Sequence, residues 1–174
     1  MEFSVSKSIE IISRTPQVLQ SLLGGLSEDW TAQNEGENTW SPFDVVGHLI
    51  HAEKTDWIPR MEIILSESRD KSFPPFDRFA QLRNNTGKTM RQLLQEFADI
   101  RKRNVGILES RQLTSEELSM TGFHPEFGEV TLVQLLATWT VHDLNHIVQI
   151  CRTMAKQYRQ EVGPWTQYLL VIQR

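Results

Sequence analysis

Two histidines stand four residues apart in VHDLNHIVQI (residues 141–150), inside a run otherwise suited to an apolar helix. At about 100° per residue, His142 and His146 lie roughly 40° apart on such a helix, one turn above the other. Leu135, Trp139 and Gln149 share that face, so the pair points inward. A buried neutral imidazole needs a partner for each ring nitrogen, and two rings stacked on one helix face do not easily satisfy each other. A divalent metal resolves this, because each ring gives one nitrogen to the ion and donates its remaining N–H to a carbonyl or carboxylate. Such a pair arises readily by chance among five histidines, so a third ligand is required.

His48 is the best candidate, on an apolar helical stripe with Val45, Ala52 and Thr55 that a bundle can bring against the later helix. His51, three residues on and about 60° around, competes with it and reads as a boundary residue or a donor behind the ligands. His124, before Pro125, reads as a turn residue in preference to a wall of the pocket mouth. Gln149 faces the ligands, either to hydrogen-bond a bound water or as an ordinary buried polar contact. Asp143 is turned about 100° from its neighbour His142 and reads as a surface charge or a tie to another helix rather than a base. Cys151, nine residues past His142, falls on the opposite face and is no nucleophile for this site. Three neutral nitrogens leave the ion its full charge and an open position, which makes bound water or thiol acidic near neutral pH.

The elements that must position these side chains are helical. Apolar residues recur mostly at steps of three and four, and alternating strand patterns are missing, which predicts an all-α fold. A first helix spans Phe3 to about Leu23, restarted at Thr15 as N-cap with Pro16 at its first position, and Gly24-Gly25 closes it. The polar loop SEDWTAQNEGENTW leads to a second helix from Ser41 (N-cap), Pro42 and Asp44 to about Leu65, kinked by Pro59. A third is predicted from Asp77 or Arg78 to about Glu109, with Gly87 and Gly106 each weakening it by about 1 kcal/mol. After the loop LTSEELSMTGFHPEFGE, a fourth runs from Thr131 to about Tyr158, and a short terminal helix packs Trp165, Leu169 and Leu170 on the bundle. Four amphipathic segments in one domain of residues 1–174 predict a four-helix bundle. Glu53, Asp56 and Arg60 read as ion pairs along the second helix, and Trp139 as the tryptophan nearest the pocket.

With 18 basic and 22 acidic side chains the net charge is −4. The densest basic run, Arg101-Lys102-Arg103, reads as a solvated helix face, so no nucleic-acid footprint is expected. There is no run of 18 apolar residues and no secretory segment, so no membrane partner is expected. One cysteine suits a reducing compartment, and the expectation is cytoplasmic.

Three ordered blocks, WSPFDVVGHLIHAEKTDW, GEVTLVQLLATWTVHDLNHIVQI and VGPWTQYL, together resemble the DinB-like (DinB/YfiT) superfamily of metalloenzymes, in its DinB_2 branch. The resemblance covers nearly the whole chain. It implies a bundle of up-down-down-up connectivity and a metal held by His48 of GHLIHAE with His142 and His146 of HDLNH. It also implies zinc, nickel or a related ion, often a homodimer, and in some members transfer or isomerisation with a low-molecular-weight thiol such as bacillithiol or mycothiol. The reading is therefore a metal-dependent enzyme acting on a small molecule, a small-thiol S-transferase or a hydrolase. Its alternatives are a non-catalytic module that binds a metal or small molecule, and a bundle whose histidines are only hydrogen-bonded.

Overall fold

The computed structural model describes residues 2–173, folded mainly into helices. The first rod is two helices, α1 (Val5–Ile12) and α2 (Thr15–Leu23). The break falls where Thr15-Pro16 predicts it, but the cap is Arg14 and Thr15 is already helical. The Thr15 hydroxyl instead donates to buried Asp143 Oδ2 at 2.6 Å, so a tertiary partner takes the group that would have capped the helix. The following loop holds one turn of helix, α3 (Glu28–Thr31).

The second rod is α4 (Pro42–Thr55) and α5 (Trp57–Leu65), opened by the predicted Ser41/Asp44 capping box. It is interrupted at Asp56 (φ −103°, ψ −72°), beside the Thr55 carbonyl that Pro59 has no N–H to bond. The third element is not one helix. A short α6 (Ala80–Asn84) is separated from α7 (Met90–Arg111) by a turn in which Gly87 takes φ +79°, and a Thr89/Gln92 capping box restarts the chain. Gly87 therefore sits in the turn between two helices, whereas Gly106 stays inside one.

The next loop also departs from expectation. It contains α8 (Ser115–Ser119) and a hairpin, β1 (Thr121–His124) with β2 (Gly128–Thr131), paired antiparallel from Thr121↔Thr131 to His124↔Gly128. Phe73 N donates to Phe123 O and Phe123 N to Lys71 O, so the 71–73 segment covers the edge of β1. Gly122 lies against Phe73 and Ile64; a Cβ there would stand 2.6 Å from Phe73 Cε1. A Thr131/Gln134 capping box then starts α9 (Leu132–Lys156). A 3-10 segment (Gly163–Tyr168) and α10 (Leu170–Gln173) follow. Contrary to expectation, Trp165 and Leu170 are 67% exposed and Leu169 39%; Ile172 is the buried anchor.

Two apolar clusters give the direction of each rod. Ile12, Trp57, Met61, Ile64, Leu108, Leu132 and Trp139 form one end of the core, and Leu19, Leu23, Val45, Leu49, Leu93, Phe97 and Ile150 the other. The α1/α2 rod runs from the first cluster to the second, α4/α5 and α7 run back, and α9 returns. This is a four-helix bundle of up-down-down-up connectivity. None of the described helices is long and apolar enough to cross a membrane.

Between the clusters all four rods meet at a charge network. Arg101, 1% exposed, donates through Nη1 to Asp143 Oδ2 and the Ile12 carbonyl, and through Nη2 to Asp143 Oδ1 (2.9 Å) and Glu53 Oε1 (2.8 Å). Asn104 Nδ2 and Trp139 Nε1 also donate to Glu53, at 2.9 Å each. Arg101 is thus no solvated charge, although Lys102 and Arg103 are exposed. Glu53 is no exposed ion-pair partner along its own helix, and Asp143 is the tie between helices, not a surface charge. Burial pushes the Glu53 carboxyl up, against the Arg101 charge that pulls it down.

Candidate metal centre

α4 and α9 place three imidazoles around one point. His48 Nε2 lies 3.1 Å from His142 Nε2, which lies 3.1 Å from His146 Nε2. One nitrogen from each ring fits within 4.8 Å of the others. The i, i+4 spacing on α9 aligns two rings, and the packing of α4 against α9 supplies the third. His48 and His146 are 6% and 7% exposed, and His142 is half-buried. Trp40 packs on His48 (centroids 4.7 Å), Phe76 meets the edge of His48 (5.5 Å), and Trp57 meets His142 (5.1 Å).

Gln149 Oε1 lies 2.8 Å from His146 Nδ1, so Nδ1 carries the proton and Nε2 presents its lone pair inward. His48 Nδ1 and His142 Nδ1 are buried without a partner, leaving ring packing to orient those two. Burial, reinforced by the neighbouring histidines, pushes His48 down to about 3 and His142 down to about 2, and burial lowers His146 as well. A single proton on His142 Nε2 would serve one of its two 3.1 Å neighbours and leave the other contact unmade; with lone pairs inward on all three rings the contacts repel, and charging a ring to relieve that is resisted by burial. A cation at the common point satisfies all three, and tetrahedral zinc at 2.0–2.1 Å would set nitrogen pairs roughly 3.3 Å apart. The donor set therefore fits a divalent metal.

The cluster opens into a cavity of about 590 Å³, walled by Trp40, Trp57, Phe73, Phe76 and Phe127 and by the polar residues Asp56, Arg60 and Gln134. The size falls in the range of small-molecule sites. Asp56 is pushed up to about 6 by burial, with Arg60 opposing, so this carboxyl exchanges a proton near neutral pH.

Of the other residues singled out in the sequence, His51 lies outside the triad; its ring packs 4.9 Å from Phe76, as a boundary residue does. His124 serves both of its readings. Its Nδ1 accepts the Glu126 and Phe127 backbone N–H groups of the hairpin turn, and the ring lines the cavity. Gln149 makes the second of the contacts offered for it, a part-buried polar contact, and its partner is the His146 ring nitrogen. Trp139 is fully buried behind Trp57 (centroids 5.8 Å), so Trp57 and Trp40 face the pocket in its place. The sequence also missed Asp56 and Arg60 as cavity wall: their spacing signalled an ion pair, but the cavity depends on Phe73 and the hairpin, which come from loops.

The DinB superfamily model DinB_2 matches residues 11–150, a span that reaches into all four rods and includes all three histidines. A solved structure with a similar fold is YfiT from Bacillus subtilis, a probable metal-dependent hydrolase with an unusual four-helix bundle topology. The two align with a TM-score of 0.72 over 92% of this chain and 90% of that one, at 20% sequence identity, a likeness of fold alone. No curated protein matches the sequence. By the family match over most of its length, the chain belongs to the DinB superfamily.

Proposed function

We propose that this chain is a metal-dependent hydrolase of a small electrophilic substrate, with His48, His142 and His146 holding a divalent cation, zinc or nickel. The observation that carries the reading is the convergence of three neutral Nε2 atoms on one point at the wall of an open cavity. Imidazole donors suit either ion, and three protein ligands leave room for another. When bound, the ion supplies Lewis acidity to the group it holds.

The protein's own contribution is placement. Gln149 fixes the His146 tautomer, and Trp40, Trp57 and Phe76 hold the rings of the other two. The aromatic walls seat an apolar substrate body and exclude water from it.

Transfer of a small thiol to an electrophile is a second reading, favoured by a cavity of about 590 Å³, large enough for two small reactants. The thiol would come from outside, since Cys151 is half-buried with its pKa raised by burial.

The test loads tag-free protein with zinc or nickel and screens esters, amides and lactones, with and without low-molecular-weight thiols. Turnover that disappears with a chelator and in His146→Ala, and returns with added metal, supports the enzyme. One tightly bound ion without turnover on any substrate would instead make the chain a metal-binding module.

A further inference from the structure

Arg101 and Arg60 are both buried arginines, and the contrast between them is informative. Every Nη of Arg101 is used in hydrogen bonds to carboxylates or a carbonyl. Arg60 is held differently. Its side chain is 7% exposed on the cavity wall, one helical turn from Asp56, which is 13% exposed. Arg60 Nε lies 2.9 Å from Asp56 Oδ1, yet the two are not aligned as a hydrogen bond, and neither atom has another partner. Nη2 reaches only the Pro74 carbonyl at 3.5 Å, and among the described residues no hydrogen bond uses Nη1. Phe73 supports the guanidinium, its centroid 5.1 Å from Cζ.

A guanidinium stays charged and carries five N–H donors in a planar fork that matches a carboxylate. Nε is held out of water without an aligned partner, at a cost the ion pair does not recover, and Nη1, which no group among the described residues engages, faces the open cavity. That cost is offset when the missing partner is a ligand. Asp56 already balances part of the charge, which favours a monoanion, and Trp57, Phe73, Phe76 and Phe127 supply apolar wall on the same cavity.

We propose that Arg60 binds a carboxylate group of the substrate, so that the molecules accepted by this site are small organic acids with an apolar or aromatic body. This rests on the reading of the cavity as the substrate site, and it deepens that reading by naming a substrate class. Arg60 acts here as a specificity residue, through direct contact with the ligand.

Phenylacetate and its neutral counterpart phenylacetamide are titrated calorimetrically into chelator-treated protein, and again after addition of zinc. In the metal-free protein the carboxylate binds at least tenfold more tightly than the amide. Arg60→Gln brings that ratio to about one and leaves the amide unchanged. Asp56→Asn, which removes the competing anion, widens the ratio severalfold. Circular dichroism checks that each variant is folded; if Arg60→Gln is not, Arg60→Lys, which keeps the charge but loses the fork, should retain only part of the discrimination. Absence of discrimination in the wild type, discrimination undiminished without the guanidinium, or discrimination that requires zinc would each overturn the proposal. Failure to bind zinc would sink the metal reading instead, and the metal-free titrations would still decide the role of Arg60.

Discussion

Replacing Asp143 by alanine removes the acceptor that joins α2 and α7 to α9. In the native protein Asp143 accepts from both terminal nitrogens of Arg101 and, at 2.6 Å, from Thr15, and it is 0% exposed. Without it Arg101 keeps Glu53 and the Ile12 carbonyl but stays buried, with donors that neither water nor protein satisfies. Breaking a buried pair from one side costs about 3–5 kcal/mol, a large part of a total stability of roughly 5–15 kcal/mol. For a chain of this length 1 kcal/mol moves the melting temperature by about 2–4 °C, so the expected fall is roughly 10 °C. Urea unfolding of the metal-free protein should show a lower midpoint at unchanged slope. Asp143→Asn should cost less than Asp143→Ala, because the amide oxygen still accepts. Combining Asp143→Ala with Arg101→Met should cost at least about 1 kcal/mol less than the two singles added. A change within about 0.5 kcal/mol of wild type, no larger than that of exposed Glu129→Ala, would refute the network's role.

Acid should destabilise the metal-free protein. His48 and His142 fall to about 3 and about 2 in the folded state against about 6.5 unfolded, so below pH 6.5 the unfolded chain binds more protons and stability drops. Between pH 7.5 and 5.5 each ring costs about 1 kcal/mol and His146, also lowered, acts in the same sense, while Asp56 and Glu53, both raised, oppose it; a net loss of stability is expected in urea titrations, and a flat profile would contradict it. Gln149→Ala removes the acceptor that orients His146 and should weaken metal binding about 10- to 100-fold by competition with a chromogenic chelator. Gly122→Ala forces a methyl against Phe73 and Ile64 and should destabilise the fold by about 1–3 kcal/mol, with faster amide exchange in the hairpin.

The histidine pair was legible because i, i+4 spacing is local geometry: once residues 141–150 are helical, the rings must stack. His48 depended on how α4 packs on α9; the apolar stripe allowed that contact, and the three ordered blocks named it. The capping boxes at Ser41 and Thr131 were readable for the same local reason, each being completed within three residues. What was misread is what sequence neighbours do not determine. Arg101 sits in a basic triplet and looks solvated, yet its partners Glu53 and Asp143 lie 48 and 42 residues away. Thr15 was assigned its local job and took a tertiary one, with a partner 128 residues away. The strands are four residues each and owe their existence to Phe73 and the 71–73 edge rather than to any alternation of their own.

The central claim is that three imidazoles share one ion, and elemental analysis of tag-free protein after incubation with zinc or nickel and gel filtration tests it most directly. The account predicts one ion per wild-type chain and a large loss of occupancy in His142→Ala, because the His142 imidazole stands 3.1 Å from each of the other two rings. Wild-type protein that stays metal-free, or a His142→Ala variant with undiminished occupancy, would contradict it.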